Sequence, residues 1–259
     1  MLRLTGLVRR AEGVAEPDFA RFRRDTLGPL VAGMQTRLGI CRYVQTHRGA
    51  GSASAEAGFM AARPGTGNRF DGIEEYWWVD DAACVAAVAD AHGEFAALAE
   101  ACRGWIDMPA SAFWLGIEYP QVACGAGRVV AAPRSGLARL VFAIAPPDGT
   151  GFAAAQSYWL RQHGPLVRRF AVARGTLAYT QVHRVLDGPA ALARAGWIDF
   201  SDEFIGHAEA WFAEVRPAPG ADGAAAMAAA IADETRFIDW RRGSVLVGKE
   251  LMFVERSWD

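Results

Sequence analysis

The side chains best suited to acid–base chemistry lie in the second half of the chain. His163 begins the motif HGPL, and a later strand-like segment reads YTQVH, which places Tyr179, Gln181 and His183 at alternate positions. Side chains alternate across a strand, so these three share one face. An imidazole has an ordinary pKa of about 6.5 and can exchange a proton near neutral pH. The pattern indicates His163 as a general acid or base, with His183 as its partner or orienter.

Aromatic and acidic side chains close to these histidines could hold a substrate. Tyr158 and Trp159 come just before His163, while Glu209 and Trp211 share one face of a further strand-like segment, GHAEAWF. The alanines and phenylalanine on the opposite face suit packing against helices. These four residues are therefore predicted to bind the rings and polar groups of a substrate.

The polar row of the YTQVH strand is expected to face the space between two sheets. Its opposite face carries small side chains that would pack well against helices. A few polar groups in an aromatic wall are typical of a small-molecule site, so Tyr179, Gln181 and His183 are expected to line a cavity beside Glu209 and Trp211. Unpaired buried polar groups cost about 1–3 kcal/mol each. The alternative is that these groups bond to one another across a closed interface.

The chain repeats itself. Five segments of the first half have counterparts in the second half, in the same order and at offsets of 136 to 132 residues. They are 2–4 with 138–140, 27–30 with 163–166, 42–47 with 178–183, 72–78 with 206–212, and 105–107 with 237–239. Five ordered matches predict a tandem duplication. Leu27 replaces His163 in the first copy, whereas Tyr43, Gln45 and His47 repeat the polar row and are further candidates for substrate binding.

His163 has a structural alternative. It stands where a helix is expected to stop, before Gly164-Pro165, and a protonated histidine near a helix C-terminus is stabilised by the helix dipole. Against this, the first copy keeps the GPL sequence but has Leu27 in front of it. One active half and one scaffold half is the simplest interpretation of this difference.

Each copy is predicted to fold as a βαββαβ module. Apolar alternation predicts strands, and spacings of three and four residues predict helices. In the first copy the expected elements are strands at 2–9, 40–48, 72–79 and 112–119, helices at 16–26, 29–37 and 81–102, and a long loop at 49–69. Ferredoxin-like modules have helices on one sheet face only, so two modules can cover each other. The expected fold class is α+β: two such modules, 1–120 and 137–259, packed sheet to sheet as an intramolecular barrel around a linker at 121–136.

Composition narrows the function classes. The chain has 259 residues and a net charge of −2, without the basic stripe that nucleic-acid binding needs. No window approaches the roughly 18 apolar residues of a membrane span. The four cysteines form no CxxC or zinc-type cluster, and the chain has no GxGxxG, P-loop or HExxH motif. These features predict a cytoplasmic protein without metal or organic cofactor, whose partner is a small hydrophobic or aromatic molecule. A homodimer of the two-module chain is a further hypothesis.

The motifs resemble those of the EthD family of dimeric α+β barrel proteins. The second copy has Tyr158-Trp159 before HGPL, then YTQVH, GHAEAW at 206–211 and ADETRFID at 232–239. The first copy keeps LGPL, YVQTH, DGIEEYW at 71–77 and WID, but lacks the first histidine and the ADE. The resemblance covers nearly the whole chain. It implies a ferredoxin-like module that normally dimerises, and members associated with catabolism of ethers and aromatics or with dehydration and decarboxylation in polyketide pathways.

Together these observations favour a cofactor-independent enzyme of the dehydratase or decarboxylase type. A second hypothesis is a non-catalytic binding protein that holds a catabolite for a partner enzyme. A third is a haem protein, because some haem enzymes use paired ferredoxin-like halves with a histidine in the second half. Ligand binding without turnover would favour the second hypothesis, and an absorption spectrum would test the third.

Overall fold

Eight β-strands close into one barrel in the computed structural model, which describes residues 1–123, 129–185, 200–214 and 220–256. The strands are β1 (Leu2–Arg10), β2 (Arg42–His47), β3 (Gly72–Trp78), β4 (Ile106–Val122), β5 (Leu137–Ile144), β6 (Ala178–Arg184), β7 (Gly206–Ala213) and β8 (Ser244–Glu255). The four strands predicted in the first copy are confirmed, and β4 is longer than expected. Residues 124–128, which include Cys124 of the expected linker, lie outside the described residues.

The barrel is built from two equivalent sets of four strands. Around the barrel the order is β1-β3-β2-β8-β5-β7-β6-β4. Each copy therefore arranges its strands as fourth, first, third, second, the order of a ferredoxin-like module. The two sets join where β4 pairs with β6 and where β2 pairs with β8, in both cases antiparallel. This confirms the predicted α+β fold class, with the sheets continuous around the barrel as well as facing each other.

Helices cover the outside of the barrel. They are α1 (Glu16–Phe22), π1 (Arg23–Leu27), α2 (Gly28–Gly33), α3 (Ser52–Ala61), α4 (Asp81–Asp90), α5 (His92–Cys102), α6 (Phe152–Tyr158), π2 (Trp159–His163), α7 (Gly164–Phe170) and α8 (Ala221–Glu234), where π1 and π2 are π-helical turns. The expected loop at 49–69 was wrong in part because it contains α3. Alanine is the strongest helix former, and it outweighs the Gly and Ser content of this segment.

The helix predicted at 81–102 is two helices, whose apolar stripe from Cys84 to Cys102 is buried. These are α4 and α5, which meet at Ala91 at an angle of 81°. Asp80 caps α4, because its carboxylate accepts a 2.8 Å hydrogen bond from the backbone N–H of Ala83. The bend lets both helices keep their apolar faces on the sheet.

The helices before each GPL sequence do not stop there, which corrects the prediction. In the second module α6, π2 and α7 form one continuous helix, and the N–H of Gly164 donates to the carbonyl of Trp159, five residues earlier. Pro165 has no N–H, and its ring would clash with a normal helical turn. The wider π turn accommodates the proline. The same arrangement occurs in the first module, where Gly28 donates to Arg23.

The glycine of each GPL sequence lies in close contact with neighbouring side chains. A Cβ on Gly28 would lie 2.2 Å from the ring of Phe253, and one on Gly164 would lie 2.6 Å from Gln121 Oε1 and 3.1 Å from Gln181 Nε2. Each helix therefore approaches the barrel at its glycine, and the π turn is pressed against the strands beneath it.

Buried ion pairs occupy the middle of the barrel. Arg3 and Arg139, at equivalent positions of β1 and β5, both bind Glu75 and Glu209, at equivalent positions of β3 and β7. Burial by itself would raise the pKa of Glu209, but Arg139 and Arg3 outweigh it and hold that pKa well below its ordinary range. A buried carboxylate needs such partners, because removing either charge would leave the other unpaired in the interior.

A second pair of carboxylates lies towards one mouth of the barrel. Glu118 accepts hydrogen bonds from Arg3 at 3.0 Å and from the indole of Trp77 at 2.7 Å. Glu250, its counterpart, accepts one from the indole of Trp211 at 2.9 Å. The two modules thus contribute matching arginines, glutamates and tryptophans to one network.

Glu75, His207 and Glu209 have the ligand types of a metal site, with their nearest ligand atoms within 4.8 Å of one another. Both carboxylates already bind Arg3 and Arg139. The cluster is therefore best described as part of the ion-pair network.

No single helix in the described ranges is long and apolar enough to cross a membrane, although the bent pair α4–α5 reaches that length and composition when taken together.

Candidate functional site

The polar row of β6 faces the helices, not the barrel interior, so its predicted orientation was wrong. Gln181 Nε2 donates a 3.0 Å hydrogen bond to the carbonyl of Trp159 in π2, and its Oε1 contacts His183 Nε2 at 3.0 Å. The indole of Trp159 donates to the hydroxyl of Tyr179 at 3.1 Å and stacks on the ring of His183, with centroids 4.5 Å apart. The row therefore fixes π2 against the sheet.

Strand register gives the physical reason. In the antiparallel pair β6–β7, Gln181 lies opposite Ala208 and Tyr179 lies opposite Ala210. Residues directly opposite each other project to the same face. Ala208 and Ala210 were correctly predicted to face the helices. Because Gln181 and Tyr179 are paired with them, the polar row of β6 faces the helices too.

Glu209 and Trp211 do face the barrel interior, as predicted, but this separates them from Tyr179, Gln181 and His183. Both belong to the ion-pair network, through Arg139 and Glu250. They are buried among charged partners on the opposite side of the sheet.

The equivalent row of β2 lies beneath π1 in the first module. Gln45 Nε2 donates to the carbonyl of Arg23 at 2.9 Å and to the hydroxyl of Tyr43 at 2.7 Å, and Gln45 Oε1 contacts His47 Nε2 at 2.7 Å. Both copies therefore use Tyr-x-Gln-x-His to hold a π turn. This shared role accounts for the repetition of the motif without requiring a ligand at either copy.

An apolar cavity of about 680 Å³ lies between the second module's sheet and its helices. Of the predicted site residues, His163, Trp159 and Tyr179 line it. Phe142 of β5, Phe212 of β7 and Phe237 contribute to its apolar wall. A volume of this size is in the range of pockets that bind small organic molecules. Tyr158, Gln181 and His183 adjoin the lining residues through the hydrogen bonds and ring contacts of π2.

The cavity exists because two large side chains of the first module are alanines in the second. Under the repeat alignment, Glu74 and Tyr76 correspond to Ala208 and Ala210. Tyr76 stacks on Tyr43 with ring centroids 4.7 Å apart, whereas Ala208 and Ala210 line open space.

The first module fills the matching space with a buried ion pair. Arg23, the counterpart of Trp159, donates from Nε to Glu74 at 2.6 Å, and the hydroxyl of Tyr43 donates to the same carboxylate at 2.5 Å. Burial and the nearby Glu74 raise the pKa of Tyr43 well above its ordinary value. The side chains in this part of the first module are packed and hydrogen-bonded to one another, as expected if this half of the chain is a scaffold.

His163 is held by an acidic partner that the sequence analysis did not assign to the site. Its Nδ1 lies 2.8 Å from Asp233 Oδ2, and the hydroxyl of Tyr158 donates to Asp233 Oδ1 at 2.6 Å. The hydrogen bond from His163 is the main cause that lowers the pKa of Asp233, and the bond from Tyr158 adds to it. An ionised carboxylate only accepts, so Nδ1 carries the proton and Nε2 is left for a ligand.

The sequence did contain a signal for Asp233. It belongs to the ADE sequence, which is present only in the copy that has the histidine. In the first copy Ala101 aligns with Asp233 and Leu27 with His163. The joint loss of both groups from one copy is a signal that the two act together.

The first module also contributes to this cavity. Phe59 of α3 packs edge-on against Phe142, with centroids 4.9 Å apart. Just after α3, Arg63 forms a bidentate ion pair with Glu234 at the end of α8. Both modules therefore build the site: the second module supplies the sheet and His163, and the first module supplies part of the cavity wall.

Buried histidines are expected to make stability depend on pH. Burial lowers the pKa of His183 and of His207 to about 4. Between pH 6.5 and 4 the unfolded chain binds more protons than the folded one, so stability falls as pH falls, by about 1.4 kcal/mol per pH unit for each histidine. His183→Gln should reduce this slope by about that amount, as measured by urea unfolding at several pH values. The exposed His92, changed to Gln, is the control, and an unchanged slope in His183→Gln would contradict the expectation.

Comparison with known proteins agrees with the repeat. The family model of the EthD domain matches residues 11–109 and 147–241. A crystal structure that carries the provisional name chlorite dismutase is similar in fold, with a TM-score of 0.40 and 11% identity, over 96% of this chain and 94% of that chain. No curated protein matches the sequence. Because the family model covers well over half of the chain, once in each copy, the chain belongs to the EthD domain family.

Proposed function

We propose that the second-module cavity binds a small hydrophobic or aromatic metabolite and that His163 acts on it as a general acid or base. The reaction class that fits is a lyase-type elimination, such as dehydration or decarboxylation. The observation that carries the proposal is the hydrogen bond between His163 and Asp233 at the wall of an apolar cavity.

This arrangement supports proton transfer at one defined nitrogen. Asp233 fixes the imidazole with its proton on Nδ1, so Nε2 can take a proton from a bound molecule and return it to a leaving hydroxyl group. General acid–base catalysis of this kind contributes about 10²–10⁴-fold in rate. His183 was expected to be the partner of His163, and Asp233 takes that role in this proposal.

Tyr179 supplies a further polar contact in the cavity. Its pKa is raised to about 12, mainly by burial, so the phenol keeps its proton at neutral pH. The hydroxyl accepts from the indole of Trp159, which leaves its own proton to donate to a substrate oxygen. Gln181 and His183 position Trp159 from beneath, and the wall of Trp159 and Phe237 would hold an aromatic ring.

A titration with 2-naphthol tests the binding half of this proposal. Trp159 lines the cavity, so a bound aromatic ring should quench part of the tryptophan fluorescence, saturating at one molecule per chain. Trp159→Phe should remove most of the quenching while calorimetry still detects binding. The proposal fails if 2-naphthol shows no saturable binding, or if Trp159→Phe leaves the quenching unchanged.

A further inference from the structure

We infer that Arg63, which the first module places in the wall of the second module's cavity, binds a neutral oxygen of the ligand. The substrate class is then an aromatic or apolar compound that places a carbonyl or phenol oxygen, in preference to a carboxylate, at Arg63, and of the two proposed reactions dehydration fits it better. This inference rests on the proposed function, because it assigns the polar end of the ligand in that same cavity.

Arg63 is buried and its position is fixed. It is 3% exposed, and its guanidinium carbon lies 3.8 Å from the centre of the Phe59 ring. Its Nε donates to Glu234 Oε2 at 2.6 Å and its Nη2 to Glu234 Oε1 at 2.7 Å. Two parallel hydrogen bonds of this kind hold the planar guanidinium in one orientation.

The ion pair leaves one nitrogen of Arg63 unused. Nη1 has no hydrogen-bond partner among the described residues, although Arg63 lines the cavity. Among the described residues Nη1 is not one of the fully buried polar atoms without a partner, so it is open to the cavity, where a ligand oxygen can accept its hydrogen bond. The donor is therefore a binding group already oriented within an apolar wall.

The charges next to Nη1 decide which oxygen it prefers. Glu234 neutralises Arg63, and the lining's Lys249 is paired with Glu214 at 2.9 Å. Arg174 is a further cation of the lining. A carboxylate on Nη1 would gain little net attraction from the neutral Arg63–Glu234 pair and would lie close to the carboxylate of Glu234. A carbonyl or phenol oxygen accepts the hydrogen bond without that repulsion.

Matched ligands test the inference. 2-Acetylnaphthalene and 2-isopropenylnaphthalene have the same shape, but only the ketone can accept a hydrogen bond. The ratio of their Kd values is compared between wild type and Arg63→Met/Glu234→Gln, which removes the donor without leaving an unpaired charge. Differences in water solubility cancel in this comparison. We expect the preference for the ketone to fall about tenfold in the double variant. Arg174→Met, which removes another guanidinium of the lining, should leave the preference unchanged.

Glu234→Gln provides an independent arm that keeps the arginine. Without its counter-ion Arg63 carries a net charge, so the affinity for 2-naphthoate should rise about tenfold relative to the ketone. Thermal unfolding checks the fold of every variant. If the double variant does not fold, the 2-naphthoate affinity of Glu234→Gln decides whether Arg63 binds the ligand.

The outcomes separate the two proposals. Binding of both neutral ligands, with the same ratio in wild type and double variant, overturns the role of Arg63 and leaves the cavity as the site. An equal loss of preference in Arg174→Met also overturns it, and so does an unchanged affinity for 2-naphthoate in Glu234→Gln. Failure of both neutral ligands to bind wild type overturns the proposed function and this inference together.

Discussion

Ala210→Phe is expected to weaken binding of a naphthalene-sized ligand at least a hundredfold while the barrel stays folded. Ala210 lies opposite Tyr179 on the cavity side of β7, and its counterpart Tyr76 fills the equivalent space by stacking on Tyr43. The first module thus shows that an aromatic side chain at this position is compatible with the fold. Filling an existing cavity commonly adds about 0.5–2 kcal/mol of stability. Calorimetric titration and urea unfolding measure the two effects.

Ala210→Ser is the matched control, because it changes the residue at the same position without filling the cavity. It should bind the ligand within a few-fold of wild type. Retained binding in Ala210→Phe would mean that the ligand sits elsewhere, for example at the barrel mouth between Trp77 and Trp211. Loss of folding would mean that the modules are less equivalent than their strand order indicates.

His163→Leu is expected to reduce turnover by about 10²–10⁴-fold and to change ligand affinity only a few-fold. The substitution copies Leu27, which occupies the same place in a folded first module, so the fold should be kept. Circular dichroism and urea unfolding check the structure, and the rate is measured on a substrate identified by screening aromatic ketones and alcohols. The loss should appear in kcat more than in KM, since the imidazole is proposed to transfer a proton.

The reverse substitution is the control for this expectation. Leu27→His should confer no activity on the first module, because Ala101 stands where Asp233 orients the imidazole and Glu74 fills the space. Full turnover by His163→Leu would remove His163 from the mechanism, and unfolding would show that its role is structural. Ligand binding by wild type without turnover of any tested compound would support the accessory protein instead.

The sequence was sufficient for the fold because the repeat is long and ordered. Matching offsets along five segments established the element order of both modules, and the alternation of Glu209 with Trp211 correctly indicated an inward face. Alternation within a strand gives two faces without saying which one is inside. For β6 the polar side chains were assigned to the interior, whereas Gln181 donates to the carbonyl of Trp159 in the π turn of the covering helix.

The site was harder to predict because its parts come from distant segments. His163 and the aromatic pair before it were identified from the sequence, but Asp233 and Arg63 are brought in by α8 and by the segment after α3. The cavity is open because Ala208 and Ala210 have small side chains. The sequence indicates this space only when these alanines are aligned with the larger Glu74 and Tyr76 of the first copy. Pairing of strands and docking of helices determine these neighbours, and neither can be read from local spacing.

The position of β8 has a consequence for how the chain reaches this structure. β8 pairs with β2 on one side and with β5 on the other. Arg42 is therefore the strand partner of Glu255, although most of the chain separates the two residues in sequence. Until β8 is synthesised, β2 and β5 each present an open edge that can pair with another nascent chain. Closure must also wait for contacts between segments far apart in sequence, which slows folding. A growing chain therefore spends most of its synthesis as an unclosed sheet, and interactions that protect these two edges should raise the yield of folded protein.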